Sequence, residues 1–223
     1  DTDCATGETC DNGTCVAVSV GCTTTDDCTG DEICDTTTGS CVLPSKDYSF
    51  VQIADVTDPS NDALCINPNT ADPGSDIFGV SLEHGGTVYW GNLLYDGNIK
   101  TTDESGAPNN HTDAVSILNG TPPNLNADDC PADGFTASVV SLGCGGSVIV
   151  DFADATGASI VLADGDSITV YEYGGVCSTD TEEDEWSVSI CDATANEVAG
   201  GTCNPNVLDS GTGVNSVTVV LPQ

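Results

Sequence analysis

Acidic side chains are the commonest groups in this chain that could do chemistry, and several of them flank short turns. Five carboxylates stand out within residues 151–172, namely Asp151, Asp154, Asp164, Asp166 and Glu172. Ca²⁺ takes about six to eight oxygen ligands, which clustered carboxylates and loop carbonyls supply. We therefore expect these five to converge at one end of the fold as a calcium site. The alternative is that the Asp-Gly turn among them is ordinary hairpin chemistry without an ion.

Catalytic groups other than carboxylates are scarce. The two histidines, His84 and His111, each stand in a polar or glycine-flanked setting typical of loops. The chain has no nucleophile elbow, no haem-attachment motif and no phosphate-binding glycine loop. Pairs of carboxylates can catalyse glycoside hydrolysis. Among 36 acidic residues, however, such pairs occur by chance and do not indicate an active site. The sequence predicts a protein that is not an enzyme and requires no cofactor.

The charge balance excludes several partners. Asp and Glu total 36 against two basic residues, Lys46 and Lys100, so the net charge is −34. Such a surface repels nucleic acid and anionic lipid, and no apolar run is long enough to span a membrane. Because almost no salt bridges can form, the carboxylates must be solvated, screened by salt or neutralised by cations. We expect like charge to keep a secreted surface soluble, with Ca²⁺ bridging as the alternative.

Cysteine usage indicates the compartment. Thirteen cysteines and no methionine are typical of a protein from an oxidising environment. The chain starts at Asp1, and we expect a processed, exported protein at the cell surface or outside the cell. Three Asn-X-Thr sequons, at Asn12, Asn110 and Asn119, are glycosylation candidates in exposed loops.

Residues 1–43 hold seven cysteines and an internal repeat. The segments "DTDC", "TGETCD" and "GTCV" of the first copy match "TDDC", "TGDEICD" and "GSCV" of the second. Repeats this short cannot bury a core, so disulfides must hold them. Of the three connectivities open to four cysteines, we favour first-to-third and second-to-fourth. The resulting pairs are Cys22–Cys34, Cys28–Cys41 and Cys4–Cys15.

Cys10 is left over on this pattern. It is a free thiol, bonds to a neighbouring chain, or pairs with a cysteine just upstream of Asp1 that would be the equivalent of Cys22. We prefer the upstream partner, in which case the chain begins inside a repeat. The spacing resembles the short Cys-rich modules of secreted proteins from myxobacteria and related bacteria, with a consensus like "C…D-D-C-x-x-G-x-x-C-x…G-x-C-V". The resemblance implies a rigid spacer or interaction module without chemistry of its own.

Residues 44–47 are interpreted as a linker, because composition changes there from Cys, Thr and Asp to alternating apolar residues. Residues 48–223 contain short β-branched or alternating runs separated by Gly, Asn, Asp and Pro, which is typical of antiparallel strands. The runs are Phe50–Val56, Ile77–Leu82, Thr87–Leu94, Ala114–Leu118, Thr136–Ser141, Ser147–Phe152, Ser159–Ala163, Ser167–Tyr173, Glu185–Cys191 and Val214–Leu221. They predict an all-β fold: a jelly-roll-like antiparallel β-sandwich preceded by small disulfide-stapled Cys-rich modules.

The six cysteines of residues 48–223 can all pair among themselves. Cys177 and Cys191 flank the acidic loop "STDTEEDE", so we expect them to staple it. The remaining expected pairs are Cys65–Cys130 and Cys144–Cys203.

Four segments, "SDIFGVSL", "VVSLGCGGSVIVDF", "ADGDSITVYEYGG" and "EWSVSICDA", resemble a β-rich domain of bacterial cell-surface and secreted proteins. In that family a "D-I-D-A-V" strand precedes "S-L-G-G-G-G-x-I-x-L-x-F", then "G-P-G-x-D-L-x-V-F-E" and "V-x-V-S-x-D-G". The match runs roughly from Asp76 to Asp192, with Asp164-Gly165-Asp166 replacing the longer Gly-Pro-Gly turn and with extra cysteines. It implies a non-catalytic extracellular domain, often part of larger surface proteins.

Two features bear on partners. The last apolar strand carries Val214, Val217, Val219 and Leu221, and we expect it either to complete the sheet of another subunit as an assembly strand or to pair within its own sandwich. Trp90 and Trp186 could stack on sugar rings, although a large ring in a strand usually fills a core. We expect an extracellular structural protein that self-associates into a filament, homopolymer or surface layer. The alternative is a carbohydrate-binding adhesion module, with or without Ca²⁺, whose partner is a polysaccharide.

Overall fold

The computed structural model describes residues 8–11, 14–17, 21–28, 33–42, 48–57, 65, 74–102, 106, 108–132, 138–174, 177 and 184–222. The chain divides into two compact units, Asp1–Lys46 and Asp47–Gln223, and the division lies inside the segment that composition marks as a linker. None of the helices in the described ranges is long and apolar enough to cross a membrane.

The N-terminal unit contains two short hairpins that repeat one another. Strand β1 (Glu8–Asp11) pairs antiparallel with β2 (Thr14–Ala17), and Cys10 lies opposite Cys15. Strand β3 (Ile33–Asp35) pairs in the same way with β4 (Ser40–Val42), and Cys34 lies opposite Cys41. The hairpins therefore place matching cysteines at matching positions of the ladder, as the repeat alignment requires.

Two disulfides join the second hairpin to the segment that precedes it. Cys22 bonds to Cys34 and Cys28 bonds to Cys41, with Cα–Cα distances of 5.5 and 5.6 Å. These are the pairs favoured from the spacing. The predicted Cys4–Cys15 bond, like the side chain of Cys10, lies outside the described residues.

The second unit is one antiparallel sheet that folds over onto itself. Its strands are β5 (Phe50–Asp55), β6 (Asp76–His84), β7 (Thr87–Tyr95), β8 (Val140–Ser141), β9 (Ser147–Phe152), β10 (Ser167–Glu172), β11 (Trp186–Cys191), β12 (Pro205–Gly211) and β13 (Asn215–Thr218). Their order along the sheet is β12-β11-β5-β9-β7-β6-β10-β13, with β8 beside β6. The all-β antiparallel class predicted from the sequence is confirmed.

Strand β7 makes the fold-over because it has different partners along its length. Residues 87–90 pair with β6, whereas residues 91–95 pair with β9. Gly91 lies at the change, where a Cβ would come within 3.4 Å of Val80. The strand therefore belongs to two layers, β13-β10-β6-β7 and β7-β9-β5-β11-β12.

Alternating side chains of the two layers fill the core between them. Val148, Val150 and Phe152 of β9 and Ile168 and Val170 of β10 are fully buried in one cluster. Each buried side chain of this size contributes about 1.5–3 kcal/mol of hydrophobic stabilisation.

Trp186 is at the centre of this core. Its side chain is 0% exposed, and its indole N–H donates to the carbonyl of Gly213 at 3.1 Å. Gly211 makes room for the ring, since a Cβ there would lie 2.9 Å from Trp186 Cζ2. The core role expected for Trp186 is confirmed.

Several sequence-predicted elements differ from the structure. The run Ala114–Leu118 is not a strand but begins helix α1 (Ala114–Ile117), which is capped by the Asp113 side chain accepting from the Ser116 N–H. The run Ser159–Ala163 forms only an isolated bridge between Ala153 and Ser159. A short apolar run is compatible with strand, helix or loop, and available partner strands decide between them.

The sequence analysis also missed two elements. Strand β12 has mostly polar residues, so it lacks the alternation that predicts a strand. Helix α2 (Ala195–Ala199) has a capping box between Thr194 and Glu197, each side chain bonding the other's backbone N–H. The spacing Thr-x-x-Glu was a signal that could have located this helix.

The expected disulfide pairing of the second unit is wrong in all three pairs. Instead of Cys65–Cys130, Cys144–Cys203 and Cys177–Cys191, the bonds are Cys65–Cys144, Cys130–Cys177 and Cys191–Cys203. Cys191 ends β11 opposite Pro205, so the chain brings Cys203 next to it. Cys177 lies before the first residue of β11, whereas Cys191 is the last. Because a strand rises about 3.3 Å per residue, β11 keeps these two cysteines too far apart to bond.

The last strand is internal rather than an assembly strand for another subunit. Strand β13 pairs with β10, and Val217 and Val219 are 3% and 0% exposed in the sandwich core. Beyond the strand, the Val219 N–H donates to the Asp166 carbonyl at 2.8 Å and the Leu221 N–H to Asp164 Oδ1 at 2.7 Å. Val214 is exposed and Leu221 is half-buried. The expectation of strand donation is therefore overturned by pairing within the same sheet.

We predict that deleting Val214–Gln223 unfolds the second unit. The deletion removes two buried valines worth about 1.5–3 kcal/mol each and the β10–β13 ladder, a loss comparable to a total stability of about 5–15 kcal/mol. Thermal unfolding followed by near-ultraviolet circular dichroism is the measurement. Deleting only Pro222–Gln223 is the control and should leave the transition in place. A cooperative transition in the longer deletion would contradict the internal role of β13.

Candidate functional site

The five carboxylates predicted to bind Ca²⁺ have separate structural roles. Asp151 accepts from the Ser159 hydroxyl at 2.9 Å. Asp154 accepts from the N–H groups of Thr156 and Ala158 and so closes its own turn. Asp164, as described above, holds the C-terminal segment.

The other two predicted calcium ligands lie at opposite ends of β10. Asp166 precedes the strand, accepts from the Ala163 N–H at 2.8 Å and contacts His84 Nδ1 at 2.8 Å. Glu172 ends the strand, points into the core and accepts from the Gly213 N–H at 2.8 Å, with 1% of its surface exposed. A strand of this length keeps the two apart by about 3.3 Å per residue.

The predicted convergent site is therefore not formed. In the described part of the chain, the only group of three His, Cys, Asp or Glu side chains at ligand spacing is Cys22, Cys28 and Cys41. These three sulfurs are in disulfides and are not available as thiolate ligands. Carboxylates that accept from nearby backbone N–H groups are turned towards their own loops rather than towards a common point. Calcium binding elsewhere on the acidic surface stays a prediction.

A site that the sequence analysis missed is centred on Asp55, at the end of β5. This carboxylate is 3% exposed and accepts five hydrogen bonds. Oδ1 accepts from the N–H groups of Thr57 at 3.2 Å and Gly145 at 2.9 Å. Oδ2 accepts from the Ser75 N–H at 2.8 Å, the Ser75 hydroxyl at 2.9 Å and the Thr57 hydroxyl at 3.0 Å. One side chain thus joins three separate segments.

Buried polar groups extend this network. The Ser75 hydroxyl lies 3.1 Å from the Glu185 carbonyl, and the hydroxyl of Ser141 bonds the carboxylate of Asp76. The amide of Asn109, 8% exposed, donates to the carbonyls of Lys100 and Ser141 at 2.9 Å each. The loop that contains Ser141 and Gly145 is therefore held from three sides, and Cys144 within it is bonded to Cys65.

Two glycines make this close packing feasible. Gly74 has φ +72°, and a Cβ on it would lie 2.8 Å from the Cys144 nitrogen and 2.9 Å from Asp55 Oδ2. A Cβ on Gly146 would lie 1.9 Å from the Leu142 carbonyl oxygen. In the glycine-rich "SLGCGG" segment, the Gly145 N–H donates to Asp55, and the Gly146 N–H closes the turn by donating to the Gly143 carbonyl at 2.7 Å.

Burial raises the pKa of the Asp55 carboxyl above its ordinary value, and hydrogen bonds from Gly145, Ser75 and Thr57 oppose this rise. By contrast, hydrogen bonds from Thr156 and Ala158 lower the pKa of the exposed Asp154. The two groups therefore influence stability with opposite pH dependence.

The two histidines make different contacts. His84 ends β6 and meets Asp166, whereas the His111 backbone N–H donates to Asn109 Oδ1 at 3.0 Å. Two sequons, Asn110 and Asn119, are exposed in the structure, and the third, Asn12, lies outside the described residues.

Trp90 does not fill the sandwich core. Strand pairing puts it opposite Ser81, on the outer face of β7, where it is half-buried. Its ring lies 5.3 Å from that of Tyr171, centroid to centroid, at an interplanar angle of 39°. The core role expected for Trp90 is therefore wrong, because the alternation of β7 turns Tyr89 inward instead.

Comparison with protein-family models, with curated proteins and with solved structures finds no match to this chain. The resemblances to myxobacterial Cys-rich modules and to the bacterial surface domain accordingly stay predictions.

We predict that Asp55→Asn destabilises the second unit by about 2–4 kcal/mol. The amide N–H₂ of the new side chain would face N–H and hydroxyl donors instead of acceptors. Each buried polar group that is left without a partner in this way costs about 1–3 kcal/mol. Chemical denaturation with urea measures the change in the free energy of unfolding. The matched control is Asp151→Asn, whose carboxylate accepts from a single exposed hydroxyl, and it should change stability little. Equal stability of both variants would contradict the central role of Asp55.

We also predict that Asp55 titrates at higher pH than Asp154. A carboxyl whose folded pKa is raised contributes stability that is present below the unfolded pKa, about 3.9, and is lost as pH rises through the folded pKa. A carboxyl whose folded pKa is lowered, such as Asp154, contributes stability above the unfolded pKa that is lost as pH falls. Carboxyl ¹³C chemical shifts followed against pH give both values. A midpoint for Asp55 at or below that of Asp154 would show that its five donors outweigh burial.

Proposed function

We propose that this chain is an extracellular, non-catalytic structural protein of a bacterial cell surface, and that its second unit is a rigid scaffold in a surface assembly. The observation that carries the proposal is the Asp55 network, in which a buried carboxylate is occupied entirely by structural donors. A catalytic carboxylate needs access to a reacting group, whereas this one fastens loops. The five disulfides within the described residues support a location outside the reducing cytosol.

The charge sets the conditions for assembly. Copies of a chain with net charge −34 repel one another at low salt. Salt shortens the range of this repulsion, from about 10 Å at 0.1 M to about 3 Å at 1 M. Assembly therefore requires screening, bound cations or an interface with few charges.

We expect the protein to be monomeric at low ionic strength and to form larger species as NaCl rises from about 0.1 M to about 2 M. Sedimentation velocity measures the distribution, and electron microscopy of the same samples shows whether the species are filaments, sheets or disordered aggregates. A chain that remains monomeric throughout, and that is absent from ordered structures on the native cell surface, would contradict the proposal.

The alternative, a carbohydrate-binding module, loses Trp186 as a ligand platform because that ring is fully buried. It keeps Trp90, whose position on an outer sheet face is the specific observation in its favour.

A further inference from the structure

The outer face of the layer β13-β10-β6-β7 differs from the rest of this acidic molecule. Register places eleven side-chain positions on it, counting Phe78 at the bulge of β6 and the glycine at 79. They are Phe78, Gly79, Ser81, Glu83, Val88, Trp90, Ser167, Thr169, Tyr171, Ser216 and Thr218. Glu83 is the single charged side chain among them, in a protein with 36 acidic residues. The other acidic side chain on this side of β6, Asp76, is 8% exposed and bonds the Ser141 hydroxyl. We call this set the uncharged face.

Aromatic rings occupy one end of the uncharged face. Phe78 is 1% exposed and meets Tyr171 edge-on, with ring centroids 5.8 Å apart. Tyr171 in turn packs against Trp90, and both of these rings are partly exposed to solvent. Gly79 leaves the space beside them, since a Cβ there would lie 3.2 Å from Pro123 Cγ and 3.5 Å from Trp90 Cζ3. The buried Phe78 therefore holds two outward rings in place.

Hydroxyl groups line the uncharged face on β10 and β13, whereas Ser81 of β6 is only 5% exposed. Thr169 and Ser216 lie side by side on β10 and β13, with their oxygens 2.8 Å apart. Ser167 and Thr218 form the next pair of the same ladder. The indole N–H of Trp90 makes none of the hydrogen bonds found among the described residues, unlike that of Trp186. Aromatic and hydroxyl groups thus share one surface, and a hydrogen-bond donor is available at its aromatic end.

The outer side of the opposite layer is covered in part by the chain itself. Ile149 of β9 is 0% exposed there and packs with Val198 of α2 and the disulfide of Cys191 and Cys203. In the uncharged face, by contrast, Val88 is 53% exposed.

We propose that the uncharged face binds a neutral polysaccharide, with Trp90 and Tyr171 stacking on sugar rings. The apolar C–H side of a pyranose ring packs on an aromatic ring, and its hydroxyls exchange hydrogen bonds with Ser and Thr side chains. Charge selects this occupant. A second copy of the chain would bring another net charge of −34 to the surface, and an acidic polymer would be repelled in the same way. This site goes beyond the scaffold role and does not depend on assembly.

The two tryptophans allow a direct test in the unaltered protein. Trp186 is fully buried, so acrylamide quenching of the fluorescence reports mainly on Trp90. We expect galactomannan, hydroxyethylcellulose or laminarin to protect this fluorescence and to retard the protein in native affinity gels, whereas alginate, an acidic polysaccharide, does neither. Absence of protection and retardation with all three neutral polymers overturns the proposal, as does binding to alginate instead.

Variants locate the site. Trp90→Ala should weaken retardation about tenfold, which corresponds to about 1.4 kcal/mol, and Trp90→Phe should retain most of it. Val207→Ala, at a side chain 66% exposed on β12 of the other layer, is the matched control and should bind as the native chain does. Melting temperatures verify that each variant is folded. Unchanged binding by Trp90→Ala overturns the proposal, and so does a Trp90-dependent dimer in sedimentation without polysaccharide, which would make the face a self-interface.

Discussion

A shortage of basic side chains determines which groups the carboxylates of this chain bond to. With two basic residues and 36 acidic ones, carboxylates have to be satisfied by neutral donors. Asp27 accepts from the N–H groups of Thr23 and Thr24, and Asp35 accepts from the N–H of Thr37. The bonds from Thr23 and Thr24 lower the pKa of Asp27. Bonds from the Thr38 hydroxyl and the Thr37 N–H lower the pKa of Asp35. An acidic residue followed or preceded by threonine is thus a turn-closing unit that this chain uses repeatedly, in both of its units.

The same chemistry operates inside the second unit, where it is more consequential. A buried carboxylate without partners is costly, and Asp55 avoids that cost by gathering five donors from three segments. Gly74 allows the segments to approach, and the Cys65–Cys144 bond lies in the same region. Hydrogen bonding, glycine geometry and a covalent link therefore fix one loop together. These independent constraints give Asp55 a structural role.

The two outer sides of the folded sheet differ in how far the chain itself covers them. One side is covered in part by α2 and a disulfide, which pack against Ile149 of β9. The other side leaves Trp90 and Tyr171 partly exposed beside a row of hydroxyls, and Glu83 is its exposed charged side chain. An all-round acidic surface would favour solubility alone. The neutral partner that we propose would approach from this side.

The sequence by itself determined the local features of this protein. Alternation of apolar residues located strands such as Ser147–Phe152, and it put Ile168, Val170 and Glu172 on one face of β10, all of which are buried. Cysteine spacing within a short repeat determined Cys22–Cys34 and Cys28–Cys41, because few residues separate the partners. Composition determined the acidity, and with it the partners that charge repels.

Only the tertiary structure decided which distant residues meet. The pairing of Cys65, Cys130 and Cys203 depends on strand order, which no spacing along the chain encodes. The donors around Asp55 come from positions up to 90 residues away, so a lone Asp at the end of a strand gave no signal of its role. The predicted calcium ligands were near in sequence yet were separated by β10, because an extended strand carries its two ends apart.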